Sequence, residues 1–265
     1  MATREDILVE LGLTPTWRRR GAVAALPAAI EREVPGAHAL REPVPSFASS
    51  SGSAQDRGTR SARIASLSWD DFAADVDSCN ACGLCRTRQK SVPGVGDADA
   101  EWLFVGEAPG AEEDARGEPF VGQAGRLLDN MLAALGLARG RNVYIANVLK
   151  CRPPNNRTPE PGESDACRPY LERQVELIRP RLIVALGKSA TSLLLGTDAT
   201  IASLRGKVHQ YRGVPLIVTY HPAYLLRNLP DKAKAWEDMV LARRTVATSD
   251  GSITSTEVSS LPPVA

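Results

Sequence analysis

"WLFVGEAPGAEEDARGEPFVGQAGRLLDNMLAAL", residues 102–135, decides the fold. It opens with five apolar-to-small residues ending in glycine, the length of one buried strand. A polar, glycine-rich loop follows. Then Leu127, Leu128, Met131, Leu132 and Leu135 recur at the spacing of one helix face. Strand, glycine turn and helix make the first half of a strand–helix–strand crossover, which forces the next strand to run parallel.

The same rhythm continues. "NVYIANVL" (142–149) predicts a second strand, "YLERQVELI" a helix, "RLIVALG" (181–187) a third strand and "KSATSLLLG" a short helix. "YRGVPLIVTY" carries a turn and a fourth strand, and "KAKAWEDMVLARRTV" a closing helix. Upstream, Ser68 followed by Asp71 forms a capping pattern that opens a helix over "WDDFAADVDSC". The expected architecture is an α/β fold, a three-layer α/β/α sandwich with a central four-stranded parallel sheet. Such sheets bind ligands beyond the carboxyl ends of their strands. "GEAPG", Asn147 with the proline-rich segment after it, "LGKSA" and "YHPAY" all fall at that rim.

The flanks read differently. Residues 1–66 contain "REDILVELGL", a candidate short helix, then "TPTWRRR" and a run rich in Ala, Pro, Ser and Gly, so they are expected to be a mobile extension. Residues 67–247 form the expected folded domain and 248–265 a disordered tail. The 43% apolar composition of the 265 residues supplies a core. No apolar run approaches the roughly 20 residues of a membrane span, and "MATREDILVE" lacks the basic start of a signal peptide. A cytoplasmic protein is expected. With 32 basic and 31 acidic residues, the net charge of +1 neither supports nor excludes a nucleic-acid partner.

Five cysteines stand at Cys79, Cys82, Cys85, Cys151 and Cys167. Cys79 and Cys82 form C-x2-C, Cys151 and Cys167 form C-x15-C, and Cys85 is left over. In a reducing compartment this clustering points to metal ligation rather than disulfides. Spacing alone does not separate tetrahedral zinc from an iron–sulfur cluster, and a ligand set of 79, 82, 85 and one later cysteine is also possible.

Two other motifs carry chemistry. "GEAPGAEEDARGEPFVGQAG" (106–125) lets backbone amides approach a ligand but lacks the lysine of a phosphate-binding P-loop. Phe120 within it can offer a ring face to a flat ligand. "YHPAYLLRN" (220–228) places His221 at the rim, and its leucines with Arg227 suggest a wedge with a phosphate-binding end. Lys150, Arg152, Arg157, Arg205, Lys207 and Arg227 add up to a possible positive stripe. Phosphohydrolysis at a carboxylate-held magnesium, or a zinc-stabilised nucleic-acid-binding module, are the competing readings.

Together, "CNACGLCRTR", the 106–125 loop, "YIANVLKCRPPNNRTP", the later cysteine and "HPAYLLRN" resemble the family 4 uracil-DNA glycosylases over about Cys79 to Val246. The resemblance implies a DNA repair hydrolase that flips uracil out of single- or double-stranded DNA, cleaves its N-glycosidic bond and leaves an abasic site. It implies a [4Fe–4S] cluster on Cys79, Cys82, Cys151 and Cys167, with Cys85 a non-ligand. Phe120 would stack on the base, Asn147 pair with its edge, and His221 stabilise charge at O2. Glu107, with backbone at Ala108 to Gly110, would meet water and base, and Glu113 would exclude a thymine methyl. Asn156 and Arg157 would touch the DNA backbone or order their loop, with Leu225 and Arg227 also facing DNA. A monomer suffices for one flipped nucleotide, and the N-terminal extension is a candidate docking segment for a protein partner.

Overall fold

The computed structural model describes residues 54–249, with side chains from 57 to 248. One mixed sheet runs through the described body. Its strands are β1 (Val95–Gly96), β2 (Trp102–Gly106), β3 (Val143–Asn147), β4 (Leu182–Leu186), β5 (Val208–Tyr211) and β6 (Val214–Thr219), in the order β1-β3-β2-β4-β6-β5. The four inner strands are parallel, as the alternating pattern requires. The two edge strands, β1 and β5, pair antiparallel and were not legible in the sequence. β1 has two residues, too few for any period. β5 alternates exposed and half-buried positions on a sheet edge and joins β6 through Arg212 and Gly213, both at positive φ, the geometry of a tight hairpin.

The helices are α1 (Ala54–Ala65), α2 (Trp69–Ser78), α3 (Ala111–Arg116), α4 (Gln123–Ala134), α5 (Pro161–Ile178), α6 (Lys188–Leu195), α7 (Ile201–Leu204), α8 (Pro222–Leu225) and α9 (Asp231–Ser249). Because side chains alternate across a strand, the inner strands, buried along their length except at the start of β6, feed two cores. Trp102, Phe104, Ile145, Val184 and Ile217 meet Leu128 and Leu132 of α4 and Met239 of α9. Leu103, Val105, Ala146, Ile183 and Val218 meet Phe72 and Val76 of α2, Leu171 and Val175 of α5 and Leu194 of α6. Three layers result. Ser68 caps α2 by accepting from the Asp71 amide at 3.3 Å, as its pattern predicts.

Two boundaries differ from the sequence reading. The expected start at residue 67 is too late, because α1 belongs to the body: Ile64 is fully buried in the core, and Arg60 donates to the Ala166 carbonyl on α5 at 2.8 Å while lying over the Tyr170 ring. Apolar residues are sparse in α1, so composition hid a helix that docks through one isoleucine and one arginine stem. Helix α5 starts at Pro161, nine residues before its predicted start, so Cys167 sits on a helix and not at the end of a loop. Proline at the first helical turn is tolerated there because its missing N–H has no partner to lose. The expectations for residues 1–53 and 250–265, including "REDILVELGL" and "TPTWRRR", lie outside the described residues. No described helix is long and apolar enough to cross a membrane.

Ile64→Ala should destabilise the protein by about 2–5 kcal/mol, the range for emptying a buried isoleucine site. Urea unfolding at constant m-value checks this, and a neutral result would return residues 54–65 to the status of a linker.

Candidate functional site

The parallel register pairs Gly106 with Asn147 at the carboxyl ends of β2 and β3. Beyond them the ladder persists for two more bonds, Val148 to Gly106 and Leu149 to Glu107. Gly106 has to be glycine: a Cβ there would collide with both Asn147 Oδ1 and Phe120 Cζ. The carboxamide and the phenyl ring therefore converge on one point. His221, at the end of β6, lies against the same ring, its imidazole stacked on Phe120 with centroids 5.5 Å apart and planes 27° apart. Three residues separated by up to 101 positions thus share one locus at the rim.

Their chemistry is distinctive. Asn147 is 2% exposed, and its Oδ1 is the one buried side-chain polar atom among the described residues that lacks a hydrogen-bond partner. An orphaned buried acceptor costs about 1–3 kcal/mol, a cost that a donor from a bound ligand would remove. His221 caps α8, its Nδ1 accepting from the Ala223 amide at 3.1 Å. That bond leaves Nε2 as the protonated nitrogen of a neutral ring. Burial, with nearby Arg227, pushes its pKa down to about 4. Glu107 accepts from Ser189 Oγ at 2.6 Å. Ser189 lies within "LGKSA", a segment the sequence placed at the rim without singling out this residue.

Several expected roles change. Gly110 donates its amide to the Glu113 carboxylate, which also accepts from Phe120 N at 3.1 Å. Gly110 is therefore an internal cap, not a free ligand-binding amide, and Glu113 also holds the loop's backbone, which is compatible with its expected place against a thymine methyl. Ala108 is half-buried beside the site. Arg157 forms a fork onto Glu163 at 2.9 and 2.6 Å, which holds the Glu163 carboxyl below its usual range. Asn156 accepts from Arg152 at 2.7 Å. Both residues order the proline-rich loop against the start of α5; of the two roles the sequence left open, this is the one their contacts serve. Leu225 is 1% exposed, α8 packing beside α4, so it cannot be a wedge; Leu226 and Leu229, at 38% and 61%, carry the exposed apolar surface, with Arg227 exposed between them. The positive stripe also loses members. Lys150 is buried, donating to the Asn147 carbonyl at 2.7 Å and Gln174 Oε1 at 2.6 Å, and Arg205 is paired with Asp238 and Glu237.

Behind β3, Cys79, Cys82, Cys85, Cys151 and Cys167 line one small cavity. Among the described residues, no three candidate ligands converge on a point fit for a single ion. The four proposed ligands each receive an N–H: Cys79 from Arg60 at 3.4 Å, Cys82 from the Leu84 backbone, Cys151 from Arg88 at 2.9 Å and Cys167 from Lys150 N at 3.3 Å. Burial holds the Cys167 thiol up at about 12. Two guanidiniums and a buried ammonium around thiols suit a net-negative group, since sulfur-directed N–H bonds stabilise thiolate ligands.

The sequence model of the uracil DNA glycosylase superfamily matches residues 93–240. Over 167 residues, 60% of this chain and 83% of the relative, the sequence is 50% identical to the Type-4 uracil-DNA glycosylase of Archaeoglobus fulgidus. It is 49% identical over 155 residues to the Type-4 enzyme of Thermotoga maritima, covering 58% of this chain and 80% of that one. A Type-5 uracil-DNA glycosylase of Pyrobaculum aerophilum is more distant, at 36% over 155 residues, 52% of this chain and 68% of the relative.

The depressed His221 pKa sets a sign. Between about pH 4 and 6.5 the folded protein binds fewer protons than the unfolded chain at this ring, so the ring removes stability as pH falls through that window and not above it. An NMR titration of His221 should show its midpoint near 4, and one near 6.5 would contradict the buried neutral imidazole.

Proposed function

We infer that this chain, which belongs to the uracil DNA glycosylase superfamily, removes uracil from DNA by hydrolysing its N-glycosidic bond, leaving an abasic site for repair. The observation that carries the chemical scheme is the orphaned Asn147 Oδ1 beside the Phe120 and His221 rings.

A base inside a duplex is out of reach, so the nucleotide has to leave the stack at a cost of a few kcal/mol. Phe120 offsets part of that cost by stacking on the everted ring, worth about 1–3 kcal/mol. Asn147 Oδ1 accepts the uracil N3–H and its amide donates to O4. Cytosine has no hydrogen at N3 and presents a donor where uracil has O4, so it leaves both groups unpaired and is rejected. As the bond breaks, the sugar gains oxocarbenium character and negative charge gathers at uracil O2. The neutral imidazole of His221 donates to that oxygen from Nε2, and an imidazole already fixed by its helix-cap bond needs no reorganisation to do so. Glu107, with one carboxylate oxygen held by Ser189, orients the attacking water. Leu226 and Leu229 replace Leu225 as the apolar residues proposed to fill the gap in the DNA, with Arg227 meeting a phosphate.

Cys79, Cys82, Cys151 and Cys167 are proposed to hold a [4Fe–4S] cluster, supported by their shared cavity and by the N–H donors on each sulfur. Bound there, the cluster supplies cross-linking and fixed charge, since base hydrolysis transfers no electrons. It would tie α5 and the C-terminal side of β3 to the Cys79–Cys82 segment.

Release of free uracil from a uracil-containing single-stranded oligonucleotide tests the function directly. His221→Ala should lower kcat about 10²–10³-fold with KM little changed, as for loss of one donor to a developing anion. Asn147→Ala should lower kcat/KM for uracil about tenfold to a hundredfold, and unchanged excision with unchanged rejection of cytosine would overturn the recognition scheme. The purified protein should be brown and Cys151→Ser colourless; a colourless wild type that binds zinc would replace the cluster proposal.

A further inference from the structure

Phe120 is held in a conformation that a bulky L-residue rarely adopts. Its φ is +56°, in the left-handed region, and its side chain is 3% exposed. Such a backbone persists only where its surroundings over-determine it, and these places cluster at functional sites. Both neighbouring peptides are held. The Phe120 amide donates to Glu113 Oε1 at 3.1 Å. On the other side, the Arg139 guanidinium forks onto two successive carbonyls, Nη1 to Pro119 O and Nη2 to Phe120 O, each at 2.8 Å. The fork is itself braced by Asp129 of α4, which accepts from Arg139 Nε at 3.3 Å and Nη2 at 3.1 Å. Helix α4 runs so close beneath that a Cβ at Gly125 would overlap the Phe120 carbonyl oxygen.

We propose that Arg139, braced by Asp129, is a positioning residue for the uracil pocket: it locks the Pro119–Phe120 backbone so that the phenyl ring is fixed against Asn147 and His221 before the base arrives. Arg139 is outside the site, in the turn between α4 and β3, and touches neither Asn147 nor His221 through any described hydrogen bond. It acts through Phe120 alone. A rigid ring spends none of its stacking free energy on being ordered. Lysine cannot replace the fork, because it is a point donor and cannot span two carbonyls in fixed geometry. The proposal rests on the functional reading above, in which Phe120 stacks on the everted base.

A double-mutant cycle on the full chain tests it, reading kcat/KM for uracil release from a single-stranded oligonucleotide alongside thermal unfolding. Arg139→Gln is expected to lower kcat/KM about tenfold to a hundredfold, the scale of an ångström-sized misplacement, with Arg139→Lys restoring little. In a Phe120→Ala background, where no ring remains to be positioned, Arg139→Gln should cost almost nothing more. Equal losses in both backgrounds mean that Arg139 is merely structural and overturn the proposal. So does an unimpaired Arg139→Gln. If Arg139→Gln does not fold, Asp129→Asn loosens the same fork from an exposed position; wild-type kcat/KM in that variant also overturns the idea. A wild-type protein that releases no uracil overturns the functional reading itself, an outcome distinct from a working wild type with an indifferent Arg139.

Discussion

The register between β2 and β3 governs everything at the rim. Gly106 opposite Asn147 brings two chain segments to the same place at the same height, and both then leave the sheet in loops. One carries Glu107 and, after α3, Phe120. The other reaches Lys150 and Cys151 within four residues of Asn147. A slip of one residue would turn Asn147 to the other face and take its carboxamide away from Phe120. The pairing is protected by burial, since all five residues of each strand are buried and a slip would force side chains of both cores to repack at once.

The cysteine cavity and the proposed base-binding locus are joined by the same short segment. Lys150 sits between them, its ammonium on the Asn147 carbonyl and Gln174, its amide on Cys167. Burial lowers its pKa to about 8, and the neighbouring thiols oppose that shift. A buried cation with two neutral acceptors favours negative charge nearby, which thiolates of the proposed cluster would provide. The proline-rich loop beyond Cys151 is held at its far end by the Arg157 fork on Glu163, four residues before Cys167. Its backbone has little regular hydrogen bonding of its own, so these side-chain anchors replace what a helix or strand would supply.

Strain is placed at the proposed recognition site. Phe120 at positive φ and Asn147 with an unpaired acceptor are both unfavourable for the isolated protein. Both are surrounded by well-satisfied groups: Glu113 and Arg139 around the first, a paired sheet around the second. Sites of this kind trade a little folding stability for a pocket that is already shaped for its ligand.

What the sequence determined by itself was local or periodic. Four buried strands, their parallel direction, the capping of α2 by Ser68 and the placing of Asn147 and His221 at one rim all follow from spacing and residue type, whereas the meeting of Phe120 with them was implied by the resemblance. The motifs that resemble a known family named those three residues too. Tertiary structure alone decided the rest, because burial and pairing are relations between distant segments. Nothing local in "AYLLRN" tells that Leu225 faces α4 while Leu226 faces solvent, since one residue of phase in a four-residue helix is invisible to periodicity. Nothing marks Arg139 in an ordinary turn as the partner of two carbonyls across the fold, nor Lys150 as buried among the basic residues near it. A charged residue's partner is chosen by where the folded chain places the complementary group, and only the packed sheet and helices fix that.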